Sequence, residues 1–439
     1  MSMGRIVRNL GLLLSGKLAA GVISLVYIAL STRILGLTDY GVLNLVYGYA
    51  TFMGALIAFS GFHPVVTFGT EALQSGDLPR LGRLLTFMTL LELGLAAAAI
   101  GLTVVLAPQV GAALQWSVVA RELAPFYSLA ILATVRATPW GLLQILNRFD
   151  LIAWHHAVMP IVRLTGTMII WSTGGGLEEF LMVWVLAAIL EGSSMWALAW
   201  YACRRAGIVF APTSRAELAQ VWRENPFLLR FLTITNIDQT LREFAPKAVP
   251  LIIGWVAGPA ATGLYSVAMK IGAVLTQPPQ LLGQAAYSVI QQQITGGQLD
   301  KARRTVSRAA VAVTAVALAV ALVISLLSSG VLTLVAGPQF AIGAELLVFI
   351  LAARAVSAAA PLWSTSLTSL GRPGISLRIN IFCNLLTLPL LPVLLWQMDV
   401  NGAGVHALGQ ALLFAFLLWL ANRQTYSLSA KRVAHGSDD

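Results

Sequence analysis

Apolar runs of 23 or more residues recur twelve times along this chain, at 7–35, 41–63, 82–107, 122–147, 150–172, 177–203, 226–256, 260–290, 305–335, 342–369, 374–397 and 402–424. A helix needs about 20 mainly apolar residues to cross a bilayer and a membrane strand only about 10, so runs of this length read as helices. Of the 439 residues, 58% are hydrophobic and 10% charged, and the mean hydropathy is +0.80, which excludes a water-soluble globule. The spacing predicts an all-α integral membrane protein with twelve transmembrane helices. The opening segment MSMGRIVRNLGLLLSGKLAAGVISLVYIALSTRILG has the basic front of a signal peptide, but its apolar run is too long and Lys17 interrupts it, so it reads as an uncleaved first helix.

Basic residues set the orientation. With a cytoplasmic N-terminus, eighteen fall in cytoplasmic segments, while only Arg33 and Arg121 fall on the other side. That asymmetry places both termini in the cytoplasm. It also accounts for the net charge of +10 without a nucleic-acid partner. The polar stretch at 206–225 divides the chain into an N-terminal six-helix lobe at 1–205 and a C-terminal lobe at 226–439 that ends in a cytoplasmic tail. Six helices per lobe start both on the same side, so a repeat would be parallel, with a pseudo-two-fold axis along the membrane normal. GLTDYG at 36–41 aligns with GPAATG at 258–263, and the same offset places Pro139 on Pro361.

Charges inside the spans carry the functional argument. Residues 230–254, RFLTITNIDQTLREFAPKAVPLIIG, put Asp238, Gln239, Arg242, Glu243 and Lys247 on one broad side of the seventh helix. Intramembrane charge is costly and usually faces a water-filled cavity. Asp238 with Arg242, and Glu243 with Lys247, are four apart and acid-first, the favourable order for helical ion pairs. Across all spans the bases are Lys17, Arg136, Arg163, Arg230, Arg242, Lys247, Lys270 and Arg354, against the acids Glu92, Glu191, Asp238 and Glu243. Lys17, Arg136, Arg163, Arg242, Lys270 and Arg354 lie on six helices near mid-membrane, too deep for all of them to snorkel. The surplus of cations is expected to hold an anion in transit, and guanidinium groups suit phosphate because their fork binds two oxygens at once.

Other chemistries lack their residues. GLLLSGKL at 11–18 has Leu18 where a phosphate-binding loop needs Ser or Thr, and no strand precedes it. Cys203 and Cys383 have no metal-site spacing, and adjacent His155 and His156 point about 100° apart on a helix, so no metal is expected. No cofactor is expected, and the acids do not cluster as an enzyme would need.

The segment SGKLAAGVISLVYIALSTRILGLTDYGVLNLVYGYATF at 15–52 has a helix, RxLG, then YG and a second helix. With the twelve-helix layout, it resembles the bacterial oligosaccharide flippases of the multidrug/oligosaccharidyl-lipid/polysaccharide (MOP) exporter superfamily, in its polysaccharide transport branch. The resemblance implies a MATE-like fold with a central cavity lined by the first and seventh helices, alternating between inward- and outward-facing states in the bacterial inner membrane. It implies an undecaprenyl-diphosphate-linked oligosaccharide as the passenger, as in O-antigen and lipopolysaccharide assembly, and other glycan-assembly membrane proteins as partners. Lys17, Arg242 and Lys247 match the cationic cavity residues of the group by position, and Arg33 and Asp39 match charges at a periplasmic gate. Asp238, Glu92, Glu191 and Glu243 are candidates for coupling to a proton or sodium gradient, or counter-ions to the bases. Competing readings are a multidrug antiporter of the same superfamily and a membrane glycan transferase or polymerase.

The sidedness has a direct test. A reporter active only in the periplasm, fused after Gly175 in the loop between the fifth and sixth spans, is expected to be active. The same reporter fused at residue 439 is expected to be silent. Activity at both positions would remove the even number of spans.

Overall fold

A computed structural model describes the backbone of residues 3–57, 60–210 and 214–435, and side chains from 20 to 428 except at 58, 59, 211–213, 215, 281, 284, 285 and 288. The described residues contain helices and no strand. This follows from the sequence runs, since a helix satisfies its own backbone hydrogen bonds within lipid. Contacts divide the chain into two compact units, Met1–Ala248 and Val249–Asp439.

The first unit holds α1 (Met3–Ile57), α2 (Phe62–Gln74), α3 (Leu78–Ala113), α4 (Val118–Tyr127), α5 (Ala137–Ile145), α6 (Phe149–Thr173), α7 (Leu177–Ala206), α8 (Arg215–Glu224) and the start of α9 (Leu228–Gly272). Here α1 packs along α6, α6 along α7, and α2 against α5. Leu81, Leu84, Leu85 and Met88 of α3 form a buried core with Val65, Leu142 and Leu143. Val221 of α8 enters the same core. The polar 206–225 stretch is therefore partly a packed helix, capped by Ser214, whose Oγ accepts from the Glu217 N–H at 3.2 Å. Arg83 holds α8 through both carboxylate oxygens of Glu224, and Arg80 donates to Asn225 Oδ1 at 2.9 Å.

The second unit continues with the rest of α9, then α10 (Gln277–Thr295), α11 (Leu299–Leu326), α12 (Ser328–Ala336), α13 (Ala344–Val356), α14 (Ala360–Ser369), α15 (Pro373–Thr387), α16 (Leu390–Met398) and α17 (Asn401–His435). α17 packs along α13, α15 and α16, and α10 packs on α14.

Among the described residues, eight helices are long and apolar enough to cross a membrane, nine when the bent pair α15 and α16 counts as one span. The twelve expected segments are fewer here because some run together. α1 and α9 each hold more than one of them, and α6, which carries His155, His156, Pro160 and Arg163, is not apolar enough to count. Pro389 lies at the 47° bend between α15 and α16, where a missing N–H permits it.

α1 has 55 residues, about 80 Å at helical rise, far more than one bilayer crossing. It is broken at Gly36, with φ 71° and ψ −172°, and α9 is broken at Gly258, with φ 83° and ψ 177°. Only glycine occupies this region readily. These two glycines are the start of the aligned hexapeptides, and the correspondence extends further. Positive-φ residues Gly76, Gln115, Asn147 and Gly174 recur as Gly297, Gly337, Gly371 and Asp399, each 221 to 225 positions later. The two units thus repeat one series of breaks and helix ends.

The fourth expected span is broken as well: α4 runs into a 3-10 stretch, Ser128–Thr134, and α5 restarts after Arg136. A break within lipid frees backbone groups that need partners. Trp196 Nε1 donates to the Val135 carbonyl at 2.6 Å. Glu92, 3% exposed on α3, uses Oε1 to accept from the N–H groups of Gly61 at 2.7 Å and Thr138 at 3.0 Å, and from Thr138 Oγ1 at 2.8 Å. One carboxylate oxygen therefore ties the start of α2 to the start of α5. A Cβ at position 61 would lie 2.5 Å from that oxygen, which is why glycine stands there.

Two outcomes follow for stability in detergent. Gly36→Ala and Gly258→Ala are each expected to cost about 1–3 kcal/mol by forcing a side chain into glycine's region, seen as a lowered Tm. Glu92→Ala, which leaves buried N–H donors unpaired, is expected to cost about 3 kcal/mol or more, and Glu92→Gln, which keeps an acceptor oxygen, clearly less. An unchanged Tm for Glu92→Ala would show that the contact does not hold the break.

Candidate cationic cavity

The break before α5 positions the first candidate. Arg136 stands between the 3-10 stretch and α5, and from there Arg136, Trp140 and Gln144 follow at intervals of four and share one helical face. That face lines a cavity of about 630 Å3 within the first unit. Gly54 and Ala55 of α1 and His63 of α2 close one side. The start of α9 supplies Gln239, Thr240, Glu243 and Lys247. The volume lies in the range of small-molecule sites, and the lining combines aromatic rings, amides, hydroxyls and two permanent cations.

Each cation is anchored. Arg136 Nη1 lies 2.5 Å from Glu191 Oε1 on α7, and the same oxygen is 3.7 Å from His155 Nε2. His155 Nδ1 is in turn 3.0 Å from Ser194 Oγ. Lys247 Nζ lies 3.5 Å from Glu243 Oε2 and donates to the Thr51 carbonyl at 3.4 Å. A guanidinium has five N–H donors, so pairing with one carboxylate oxygen leaves Arg136 able to bind a further anion.

The remaining candidates are elsewhere. Arg242 is 44% exposed, donates from Nε to Asp238 Oδ2 at 3.0 Å, and does not line this cavity. Arg163 is buried among rings, its guanidinium carbon 4.8 Å from the Trp184 centroid, 5.0 Å from Tyr47 and 5.9 Å from Tyr27. These aromatic faces stabilise the charge where water cannot. Glu92 caps the helix break. Arg33, exposed and donating to the Ala29 carbonyl at 2.9 Å, and half-buried Asp39 flank the break at Gly36. The side chain of Lys17 lies outside the described residues.

In the second unit, Arg354 reaches Met269, the residue before Lys270. Lys270 is exposed near the end of α9, and Arg354 Nη2 lies 3.2 Å from Met269 Sδ. Among the described residues no group of three or more potential metal ligands forms a site.

Residue type and span position had drawn attention to Arg136 and Lys247 but not to His63, Trp140 or Gln144. The face shared by Arg136, Trp140 and Gln144 was readable from their spacing. His63 was not, because its approach depends on the fold of α2 onto α5.

Comparisons place this architecture among known proteins. A family model described as MatE matches residues 235–393. Over 284 residues, covering 64% of this chain and 79% of the relative, the chain is 28% identical to Inner membrane protein YghQ of Escherichia coli (strain K12). Its structure is similar to that of Lipid II flippase MurJ in an inward closed conformation, with TM-score 0.72 and 11% identity over 94% of this chain and 89% of that one. It is also similar to the inward-facing conformation of a multidrug resistance MATE family transporter of the MOP superfamily, with TM-score 0.66 and 15% identity over 98% and 96%. The chain is a multi-pass membrane protein, all-helical among its described residues, with a MATE-like fold.

Proposed function

We propose that this protein flips a polyprenyl-diphosphate-linked oligosaccharide from the cytoplasmic to the periplasmic leaflet of the bacterial inner membrane by alternating access. Twelve spans in two six-helix lobes are the architecture this reading assumes. A lipid-linked sugar has a tail that remains at home in hydrocarbon, while its glycan and diphosphate would lose water there at high cost. The protein has to shelter only the head group.

The observation that supports this reading most is the cavity of the first unit, in which Arg136 and Lys247 are fixed by Glu191 and Glu243 among Trp140, Gln144, Gln239 and Thr240. Fixed cations suit the diphosphate, and amides, hydroxyls and an indole suit sugar hydroxyls and faces. Lys17, Arg242, Lys270 and Arg354 are assigned to the same anionic head group along its path. In this reading Glu191, Glu243 and Asp238 are counter-ions that hold the bases in position, and they are not carriers of a coupling ion. Arg33 and Asp39 are assigned to the periplasmic gate.

The test is leaflet movement in proteoliposomes. Arg136→Ala and Lys247→Ala are each expected to slow flipping of a polyprenyl-diphosphate sugar about tenfold or more, the scale of a lost charge-assisted hydrogen bond, with insertion unchanged. Cationic dyes are not expected to be transported. Full flipping by the double alanine variant would refute the assignment, and dye export driven by an ion gradient would favour the multidrug antiporter.

A further inference from the structure

The second unit carries a separate groove of about 570 Å3, bounded by α11, α14 and α17. It is independent of the flippase reading. Along α11 its lining runs from Arg303 to Leu318, about 22 Å at helical rise. One leaflet of a bilayer core is about 15 Å thick. The groove therefore has the length of a lipid head group with most of one acyl chain.

Its chemistry changes along that length. Arg303 of α11 and Arg423 of α17 stand on exposed helix surface at one end, and Val306, Val311 and Leu318 continue toward the other. The Arg423 guanidinium carbon lies 5.8 Å from the centre of the Trp419 ring. Lys301, Arg304 and Arg308 surround Arg303 in sequence, a basic cluster of the kind that attracts anionic lipid on the cytoplasmic face.

The inner wall of the groove is fixed by a hydrogen-bonded amide. Asn422 lines the groove at 5% exposure, and its Nδ2 donates to the carbonyls of Trp363 at 2.9 Å and Leu418 at 3.4 Å. Those two acceptors determine which way the amide faces. Its Oδ1 is buried with no hydrogen-bond partner among the described residues. The oxygen is closed off from the groove as well, so the amide ties α17 to α14 and shapes the wall without reaching an occupant.

We propose that this groove binds one anionic glycerophospholipid of the cytoplasmic leaflet. Its phosphate lies with Arg303 and Arg423, and an acyl chain follows α11 toward Leu318. Phosphatidylglycerol has the required charge.

Native mass spectrometry of the full-length protein in micelles holding equal dioleoyl phosphatidylglycerol and dioleoyl phosphatidylcholine tests this. The wild type is expected to retain phosphatidylglycerol preferentially, and R303Q/R423Q to lose that preference by about tenfold or more. R303K/R423K, which keeps both charges, is expected to retain most of it. Phosphatidylmethanol, anionic but without a head-group hydroxyl, is expected to be retained as phosphatidylglycerol is, and its failure to bind would overturn charge as the selecting feature. Equal retention of the two dioleoyl lipids by the wild type, or an undiminished preference in R303Q/R423Q, overturns the site. So does a preference for a polyprenyl phosphate over phosphatidylglycerol, which would give the groove to a polyprenyl chain.

Discussion

A helix broken inside hydrocarbon leaves backbone donors and acceptors that no water can satisfy. In the first unit Glu92 meets that requirement for two elements at once, since its Oε1 receives the N–H groups of Gly61 and Thr138. The geometry of the cavity depends on this contact. With α2 and α5 held together at their starts, His63 faces the same space as Arg136 and Trp140. An acid that looked like a candidate ion carrier from its depth alone is thus first a structural cap.

The same demand is visible across the chain as a repeated series of positive-φ residues. Gly36 and Gly258 keep glycine in both copies, because their backbone lies where a Cβ is strained. Gln115 against Gly337, Asn147 against Gly371 and Gly174 against Asp399 keep a positive φ while changing the residue. Left-handed geometry near φ 55° tolerates Asn and, at some cost, other side chains. Residue identity preserves the repeat at Gly36 with Gly258 and at Gly76 with Gly297, and alignment by identity found the hexapeptides and missed most of the rest.

Charge at bilayer depth was legible as a census but not as a circuit. The acid-first spacing of Asp238 with Arg242 and Glu243 with Lys247 foretold both pairs on α9, since partners four apart on one helix are neighbours by covalent geometry. The Arg136 pair with Glu191 joins positions 55 residues apart, and no local spacing encodes it. Arg163 is the sharper case. From sequence it is one more deep cation, yet the fold surrounds it with Tyr27, Tyr47 and Trp184, so rings stabilise its charge, with no ion pair to an acid among the described residues.

The sequence by itself determined that the chain is helical and membrane-embedded, because run length and hydropathy act through the local transfer of each segment into lipid. It also carried the positions of the two main glycine breaks and the helical ion pairs, which depend on neighbours within one or two turns. Only the tertiary structure decided which polar side chains share a cavity, which are caps or encased charges, and that Arg303 and Arg423 stand on one groove between α11 and α17. Those outcomes depend on approach between segments far apart in the chain, where packing of whole helices, and not the character of any one residue, sets the distance.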